Sequence, residues 1–397
     1  MEYQIVVCSK DDIRITAVFS DRICKRILIG KSDENFQVGD IYCGRIEKMV
    51  DNVKAAFVNI GMKQNVYVPY DKMKEAITRP GHADGKVHEG DTILVQIERM
   101  PSKNKPATAV GDFSLVGNSV ILFHGRTGVS FSKKIENSAF RERMKEQFGQ
   151  CYKNDTGIMF RTNAPLYQEE IIHTEIHKLT AAYEKLVHDF GYSVTGKCLY
   201  HGIPQNLTVF RDEYLSDISE IVTEEEDVYS YLKENPFISE TGIHLRYEKN
   251  REVSLYHLYD MKKVLSEALA RKVWLKSGGY LVIDTTEAMT VIDVNSGKAS
   301  DAKNKKNLLH QVNLEAADEI LHQISLRNLS GIIIVDFINT DGDNDSVELN
   351  KYLKANAKND HGHTSIVDIT KLGLVEITRE KQEAPLSELV KSLGFIP

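Results

Sequence analysis

The chain has 397 residues, of which 42% are hydrophobic and 27% are charged. This mixture is typical of globular proteins and excludes disordered and fibrous classes, and at roughly 100–200 residues per domain the length indicates two to four domains. No apolar run approaches the roughly 20 residues that span a bilayer, and the N-terminal sequence lacks the basic-then-apolar layout of a secretory signal. We therefore expect a cytoplasmic protein with no membrane span.

Cysteine content and charge narrow the class further. The five cysteines are odd in number and form no C-x-x-C pair, so neither a disulfide scaffold nor a cysteine-cluster zinc site is expected. The net charge of −7 taken alone argues against nucleic-acid binding. However, residues 212–240 hold ten acids and one base, whereas residues 118–165 hold eight bases and four acids. A polyanion would therefore bind in the second stretch.

The N-terminal third contains short alternating patterns. Apolar and polar positions alternate over the first 30 residues, which predicts an antiparallel group of strands. From Val38 onward, further short strands are punctuated by Gly39, Gly61 and Gly90 without any helical pattern. This arrangement predicts a small barrel of the oligonucleotide-binding (OB) kind.

The middle of the chain mixes strands and helices. Residues 118–165 return to short strands around one helix, and apolar spacing predicts a long helix from about Tyr167 to Phe190. We interpret the acidic stretch 212–240 as a solvated helix pair, because charge runs usually form solvated faces.

The last 120 residues alternate strands with helices. YLVID and MTVIDV predict two strands joined by a short turn, and an amphipathic helix separates them from GIIIVDFI, an apolar strand of the kind buried on both faces. Strand–helix–strand order implies a parallel pair with a right-handed crossover. MTVIDV and GIIIVDFI are therefore expected to be near neighbours in one sheet.

Polar side chains occur where these two strands end. Asp293 and Asn295 share one side of their strand because side chains alternate faces, and Asp336 interrupts an otherwise apolar strand. Ligand sites of open α/β sheets lie at the carboxyl ends of strands. Two carboxylates beside an amide suit Mg²⁺, which can polarise a phosphoryl oxygen and supply a hydroxide.

A purely structural interpretation stays open for the same residues. Asp293 could cap a turn, and Asp336 could pair with an arginine such as Arg327 or Arg379. Asp284 ends the strand before Asp293 and could join a metal site, although a turn cap is the favoured interpretation for it.

The segments IDVNSGK, NLEAADEI, LRNLSGIIIVDFI and LGLVEITR follow one another in this order. Together they resemble the catalytic region of the bacterial ribonuclease E/G family, and the resemblance extends over essentially the whole chain. It implies a mixed α/β, multidomain fold in which an RNase H-like segment is interrupted by an OB barrel and a 5′-sensing unit and is followed by a DNase I-like subdomain. The corresponding ranges are 1–36 and 206–276 for the RNase H-like parts, 37–117 for the barrel, 118–205 for the 5′ sensor and 277–397 for the DNase I-like subdomain.

The same resemblance implies a metal-dependent endoribonuclease. Such an enzyme hydrolyses phosphodiester bonds of single-stranded RNA with a Mg-activated water, leaves a 5′-phosphate and a 3′-hydroxyl, and prefers 5′-monophosphorylated RNA in rRNA processing or mRNA decay. The family's metal-binding aspartates correspond to Asp293 and Asp336, and its orienting asparagine to Asn295. Mg²⁺ is the expected ion, Mn²⁺ a substitute, and zinc is not expected.

Two aromatic residues, Phe57 and Tyr67, flank the Gly61 turn of the predicted barrel. On an OB surface such rings stack bases, at roughly 1–3 kcal/mol each, although either ring could instead belong to the barrel core. The resemblance favours stacking, because the family carries aromatic RNA-contacting residues at both positions. Lys105, which follows the barrel strands, is a candidate phosphate contact.

Arg161 and Thr162 follow a predicted strand in the basic stretch. A guanidinium fork beside a hydroxyl suits a terminal phosphate, although an arginine at a strand end is more often a simple surface residue. The resemblance implies that this pair binds the 5′-monophosphate, with a backbone contact from the segment at Phe131.

Two departures from the family pattern leave other functions open. Asn339 stands where the family often has an aspartate, and the closing sequence lacks the family's C-P-x-C zinc-link. A homodimer, if one forms, is therefore not expected to be zinc-linked. The alternatives are an RNA-binding protein of the same fold with weak or no cleavage, and a hydrolase acting on another phosphodiester such as DNA.

Overall fold

A computed structural model describes most of the chain. The described residues are 2–32, 36–79, 86–101, 105–149, 155–212, 217–249, 252–297, 305–339, 343–360, 362–381 and 384–396. Across these ranges, none of the helices combines the length and the apolar character needed to cross a membrane.

Strands occur throughout the described part of the chain. In chain order they are β1 (Tyr3–Lys10), β2 (Ile13–Ser20), β3 (Ile23–Lys31), β4 (Ile41–Val50), β5 (Ala55–Asn59), β6 (Val66–Pro69), β7 (Thr78–Arg79), β8 (Thr92–Arg99), β9 (Thr108–Val110), β10 (Ser114–Val116), β11 (Val120–His124), β12 (Gly128–Phe131), β13 (Thr156–Phe160), β14 (Cys198–Tyr200), β15 (Ile218–Thr223), β16 (His244–Tyr247), β17 (Lys272–Trp274), β18 (Tyr280–Thr285), β19 (Met289–Asn295), β20 (Gly331–Asp336), β21 (Ser365–Ile369) and β22 (Val375–Arg379).

The α-helices connect or cover these strands. They are α1 (Ser138–Phe148), α2 (Glu169–Tyr192), α3 (Val209–Asp212), α4 (Glu226–Lys233), α5 (Pro236–Glu240), α6 (Leu255–Leu258), α7 (Met261–Leu269), α8 (Lys305–Leu326), α9 (Asp343–Asn356) and α10 (Leu386–Ser392). The predicted long helix is confirmed as α2.

The chain divides into two compact units, and the first is interrupted by the second. The split unit comprises Met1–Ser32, Ile218–Ser230 and His244–Pro397, and the inserted unit comprises Asp33–Asp217 and Tyr231–Ile243. The expected mixed α/β fold with an interrupting barrel is confirmed. The finer division into five ranges stays a prediction.

A five-stranded sheet in the split unit has the strand order β16-β15-β1-β2-β3. The predicted antiparallel start is confirmed, because β1, β2 and β3 pair antiparallel, while β15 pairs parallel with β1 and β16 pairs parallel with β15. Helices α6, α7 and α10 contribute buried apolar side chains to the core on this sheet.

The position of β15 corrects the interpretation of residues 212–240 as a helix pair. Ile221 and Val222 are fully buried at the centre of β15, and only the later part of the stretch forms helices α4 and α5. Basic partners offset part of the acidic charge: Arg14 contacts Glu225 at 2.5 Å, and Arg246 contacts Glu220 at 2.9 Å. The acidic stretch therefore contains a buried strand that its charge pattern did not predict.

A six-stranded sheet in the split unit has the order β17-β18-β19-β20-β22-β21. As predicted, β18 and β19 form an antiparallel pair, and β19 and β20 lie parallel across the α8 connection. Helices α8 and α9 cover one face of this sheet and bury its apolar residues. The expectation that β20 is buried on both faces is wrong, because Ile332 is 48% exposed on the opposite, open face.

The inserted unit contains the predicted barrel. Strands β4, β5, β6, β9 and β8 pair in that order, and β8 pairs again with β4 to close the barrel. A four-stranded sheet of order β10-β11-β13-β12 follows it in the chain and packs with α1 and α2 around a second core. Both the OB-like barrel and the strand-rich segment after it agree with the sequence.

Candidate active site and RNA-binding surfaces

Asp293 and Asp336 lie side by side on the open face of the six-stranded sheet. They are register partners on the parallel strands β19 and β20, and both side chains are exposed. Neighbouring strands are about 4.8 Å apart, and register partners point to the same face. The register therefore places the two carboxylates at adjacent positions of one face, which is the arrangement that a shared cation would require.

Asn295 is held against the first of these carboxylates. Its Nδ2 donates a hydrogen bond to Asp293 Oδ2 at 2.7 Å, as expected for side chains two positions apart on one strand face. This bond fixes the orientation of the Asp293 carboxylate and satisfies one of its oxygens.

The two arginines considered as partners of Asp336 are engaged elsewhere. Arg379 donates to Asp360 at 2.8 Å, and Arg327 donates to Gln323 at 2.5 Å. Asp284 does not cap a turn: it accepts two hydrogen bonds from Arg271, at 2.6 and 2.7 Å. This ion pair lowers the pKa of Asp284 and removes it from the group of candidate metal ligands.

The donor set at the strand ends fits a hard divalent ion. Two adjacent carboxylates repel each other unless a proton or a cation is shared, and their exposure leaves room for the several waters that Mg²⁺ retains. Because the face is open, neither carboxylate bears a large burial penalty. It is therefore the adjacency of the two charges that favours a bound ion.

Phe57 and Tyr67 form a pair on the outside of the barrel. They are register partners on β5 and β6, and their rings meet edge to face with centroids 6.1 Å apart. The flanking residues Val58 and Val66 are buried in the barrel core, whereas both rings are only half-buried. The interpretation of these rings as barrel core is therefore wrong.

Basic residues lie on both sides of this aromatic pair. Lys48 of β4 is exposed and is the register partner of Phe57, a placement that the sequence did not indicate. On the other side, Tyr67 pairs with Thr108 of β9, three residues after the exposed Lys105. The row of side chains across these strands thus combines ring faces with positive charge.

Phe131, Arg161 and Thr162 meet at one edge of the four-stranded sheet. Phe131 ends β12 and is the register partner of Phe160 of β13, after which Arg161 and Thr162 follow directly. The N–H of Ser132 donates to Phe160 O at 2.9 Å. Because backbone N–H groups alternate along a strand, the N–H of Phe131 points to the open side of this edge strand.

Both polar side chains at this strand end are held in place. Arg161 Nη1 donates to the carbonyls of Gly117 at 2.7 Å and Arg211 at 3.1 Å. Thr162 Oγ1 lies 2.8 Å from Ser132 Oγ. Ser132 was not singled out from the sequence, although its position directly after Phe131 could have suggested it.

Glu175 on α2 supports the loop that orients Arg161. The carboxylate accepts hydrogen bonds from the backbone of Asn118, Ser119 and Val120 at 2.6–3.2 Å, and Ser119 in turn accepts from Arg161 N at 2.7 Å. Burial raises the pKa of Glu175, while these hydrogen bonds oppose the rise. The only sequence signal for this support is an acidic residue among the apolar positions of the amphipathic helix.

A second group of metal-binding residue types occurs in the inserted unit. Ligand atoms of Asp40, Cys198 and His201 lie within 4.8 Å of one another. Asp40 already accepts hydrogen bonds from Gly202 N at 2.9 Å and Gln37 N at 3.1 Å, and burial raises the pKa of Cys198 to about 11. The hydrogen bonds that Asp40 already accepts favour a contact within the protein over a zinc site.

Comparison with known proteins extends these observations. The model of the ribonuclease E/G family matches residues 114–382. The chain belongs to the ribonuclease E/G family. The matched range of this family member includes Asp293, Asn295, Asp336 and the Arg161–Thr162 pair, whereas the aromatic pair of the barrel precedes it.

Curated members of the ribonuclease E/G family are similar to this chain over most of its length. Ribonuclease E of Synechocystis sp. is 30% identical over 98% of this chain and 58% of its own length. Ribonuclease G of Salmonella typhimurium is 30% identical over 90% of this chain and 76% of its own length. A ribonuclease E/G-like protein of Pyropia yezoensis is 29% identical over 91% of this chain. This family member thus spans less than two thirds of the Synechocystis ribonuclease E.

Proposed function

We propose that this protein is a Mg²⁺-dependent endoribonuclease that hydrolyses phosphodiester bonds in single-stranded RNA, leaving a 5′-phosphate and a 3′-hydroxyl. The observation that carries the proposal is the register pairing of Asp293 with Asp336 on the open face of the six-stranded sheet. Relatives named ribonuclease E and ribonuclease G support RNA as the substrate.

The strand-end residues divide the work of the proposed reaction. Asp293 and Asp336 would hold the ion, and Asn295 orients Asp293 through its hydrogen bond to Oδ2. A bound Mg²⁺ would polarise the scissile phosphoryl oxygen and lower the pKa of an attacking water. The exposed sheet face leaves the site open to an RNA strand.

The barrel supplies a surface for the unpaired strand. Phe57 and Tyr67 present ring faces that stack bases without regard to sequence, at about 1–3 kcal/mol per base. Lys48 and Lys105 are exposed on neighbouring segments and suit phosphate contacts.

The strand end at Arg161 is the proposed 5′-phosphate site. The guanidinium, the Thr162 hydroxyl and the outward N–H of Phe131 together offer donors to a terminal phosphate. Arg141 adds a second guanidinium 5.2 Å from the centre of the Phe131 ring. These donors favour a terminal monophosphate over an uncharged 5′-hydroxyl.

The proposal is tested by cleavage of one A/U-rich RNA carrying a 5′-monophosphate, a 5′-triphosphate or a 5′-hydroxyl, alongside DNA of the same sequence. We expect Mg²⁺-dependent cutting of RNA alone that is abolished by a chelator. The monophosphorylated form should be cut about a hundred times faster, as expected for two charge-assisted hydrogen bonds of about 1.5 kcal/mol each. RNA binding without cleavage would instead identify an RNA-binding protein, and cutting of DNA would identify a broader phosphodiesterase.

Thr162→Val tests the 5′-phosphate site while keeping the shape of the side chain. Losing one charge-assisted hydrogen bond of about 1.5 kcal/mol should reduce the monophosphate preference roughly tenfold. The rate on 5′-hydroxyl RNA should stay unchanged. Thr174→Val, on the exposed side of α2, removes a hydroxyl that bonds only to its own helix and serves as the matched control. An unchanged preference in Thr162→Val would exclude this hydroxyl from phosphate binding.

A further inference from the structure

An aromatic pair, with one exposed and one half-buried ring, is capped by a lysine and lies on the same sheet face as the carboxylates. Trp274 of β17 is 65% exposed, and its ring meets that of Tyr280 on β18 with centroids 5.3 Å apart. The ammonium of Lys272 lies 3.9 Å from the Trp274 ring centre and 3.6 Å from the Tyr280 ring centre. We call these three residues the aromatic platform.

The strand register places the platform next to the proposed catalytic residues. Trp274 pairs with Tyr280, and Tyr280 pairs with Asn295, so the three form one row across β17, β18 and β19. The next row across the sheet consists, in order, of Lys272, Val282, Asp293 and Asp336. Two strand spacings separate Trp274 from Asn295, about 10 Å, which is a distance of a few nucleotides along one strand.

Helix α8 holds the turn between β17 and β18, the two strands that carry the platform. The turn N–H groups of Lys276 and Ser277 both donate to the Glu315 carboxylate of α8, at 2.5 Å and 3.2–3.3 Å. Gly278 and Gly297 both have positive φ, and a Cβ on Gly297 would collide with the carbonyl of Gly278. The turn and the end of β19 therefore touch backbone to backbone, which holds the platform in a fixed position beside Asn295.

We propose that the aromatic platform is a nucleobase-binding subsite for the RNA strand being cut, an inference that rests on the proposed ribonuclease function. In the bound state a base stacks on Trp274 in place of the Lys272 ammonium, and the ammonium moves to the phosphate of the same nucleotide. Stacking tolerates every base because each has a π face. The subsite thus holds a nucleotide a few positions from the cleaved bond without selecting its sequence.

Charge favours a nucleic acid over a protein partner at this site. A solvent-exposed tryptophan on a sheet could also mark a protein interface, but the platform combines its rings with a cation. It also continues directly into the row of Asp293 and Asp336, where the proposed ion meets a phosphate. A base and its phosphate match this combination of ring faces and positive charge.

Trp274 is the only tryptophan of the chain, so its own fluorescence reports on the platform. The full-length protein in a chelating buffer, which prevents cleavage, is titrated with a short uridine-rich RNA carrying a fluorescent label, and RNA binding is followed independently by anisotropy. We expect saturable quenching of the tryptophan emission with the same midpoint as the anisotropy change. Bound RNA without any change in tryptophan emission would overturn the platform while leaving the proposed function intact.

Variants separate stacking from other causes. Trp274→Ala should weaken RNA binding about tenfold and lower kcat/KM by a similar factor, whereas Trp274→Phe should retain most of the affinity. Lys272→Gln should reduce the slope of log affinity against log salt by about 0.7, as for one phosphate contact on a single strand.

The matched control is Leu372→Ala, which removes an apolar side chain that is 83% exposed in the turn between β21 and β22, at the other edge of the sheet. It should change none of these quantities. Equal affinities for Trp274→Ala and wild type, or emission that responds to protein concentration and not to RNA, would overturn the subsite and identify a contact between copies. Absence of both RNA binding and cleavage in the wild type would contradict the proposed function itself.

Discussion

Replacing Asp336 by asparagine is expected to lower the rate of RNA cleavage by about a thousandfold or more, while RNA affinity and thermal stability stay at wild-type values. The register pairing of Asp336 with Asp293 makes these carboxylates the proposed ligand set, and an amide cannot replace the lost charge. A thousandfold loss corresponds to about 4 kcal/mol of transition-state stabilisation, in the range expected when a catalytic ion is lost. The exposed position of Asp336 means that the substitution leaves no buried polar group unsatisfied.

The measurement is single-turnover cleavage of 5′-monophosphorylated RNA, paired with anisotropy and thermal unfolding. Asp284→Asn is the matched control, because Asp284 lies on the adjacent strand β18 but pairs with Arg271 at 2.6 Å. The control should cut RNA at close to the wild-type rate. A fully active Asp336→Asn variant, or an equal loss of cleavage rate in both variants, would contradict the proposal that Asp293 and Asp336 bind the ion.

Replacing Asp360 by alanine is expected to destabilise the split unit by about 3–5 kcal/mol. Asp360 accepts two hydrogen bonds from Arg379 at 2.8 and 3.3 Å, and the two side chains are only 10% and 7% exposed. Removing one partner of a buried pair leaves the other charge without compensation at a site with little access to water. Among the described residues, the Arg379 guanidinium would retain its contacts with Asn328 and Leu329.

Chemical denaturation at neutral pH measures this loss, and Glu267→Ala is the control. Glu267 pairs with Lys263 at 3.9 Å on an exposed helix face, so its removal should change the free energy of unfolding by less than about 0.5 kcal/mol. Similar effects of the two substitutions would show that the Asp360–Arg379 pair does not stabilise the fold.

The pH dependence gives an independent check of the same pair. Burial alone would raise the pKa of Asp360, but the hydrogen bonds and charge of Arg379, together with Thr364, hold it below its usual value. A carboxyl with a lowered folded pKa stabilises the protein above its unfolded pKa of about 4, and this stabilisation is lost as the pH falls. The difference in the free energy of unfolding between wild type and Asp360→Ala should therefore become smaller below about pH 4.

Local sequence patterns predicted much of the sheet architecture. Alternation gave the antiparallel start, and strand–helix–strand order correctly made β19 and β20 parallel neighbours. The same alternation placed Asp293 and Asn295 on one strand face, where they share a hydrogen bond. These features depend on contacts within a strand or between elements that are consecutive in the chain, which is why a single sequence contains them.

Features that depend on distant contacts could not be predicted in this way. The pairing of β15 with β1 joins residues more than 200 positions apart, and the acidic composition around β15 favoured helices. The partner of Arg379 turned out to be Asp360, and the loop near Arg161 is supported by Glu175 from α2. Likewise, the contact of Lys272 with both rings of the platform needs the register of two strands. The spacing of residues along the chain does not determine which of many charged side chains come into contact in the fold.

The interruption of the split unit has a consequence for its biosynthesis. Strands β1, β2 and β3 are translated first, but β15, which pairs with β1, begins at Ile218, about 190 residues later. At roughly 5–20 residues per second, the ribosome needs about 10–40 s to supply it. During that interval the nascent meander exposes the unpaired edge of β1, a template for unwanted strand addition.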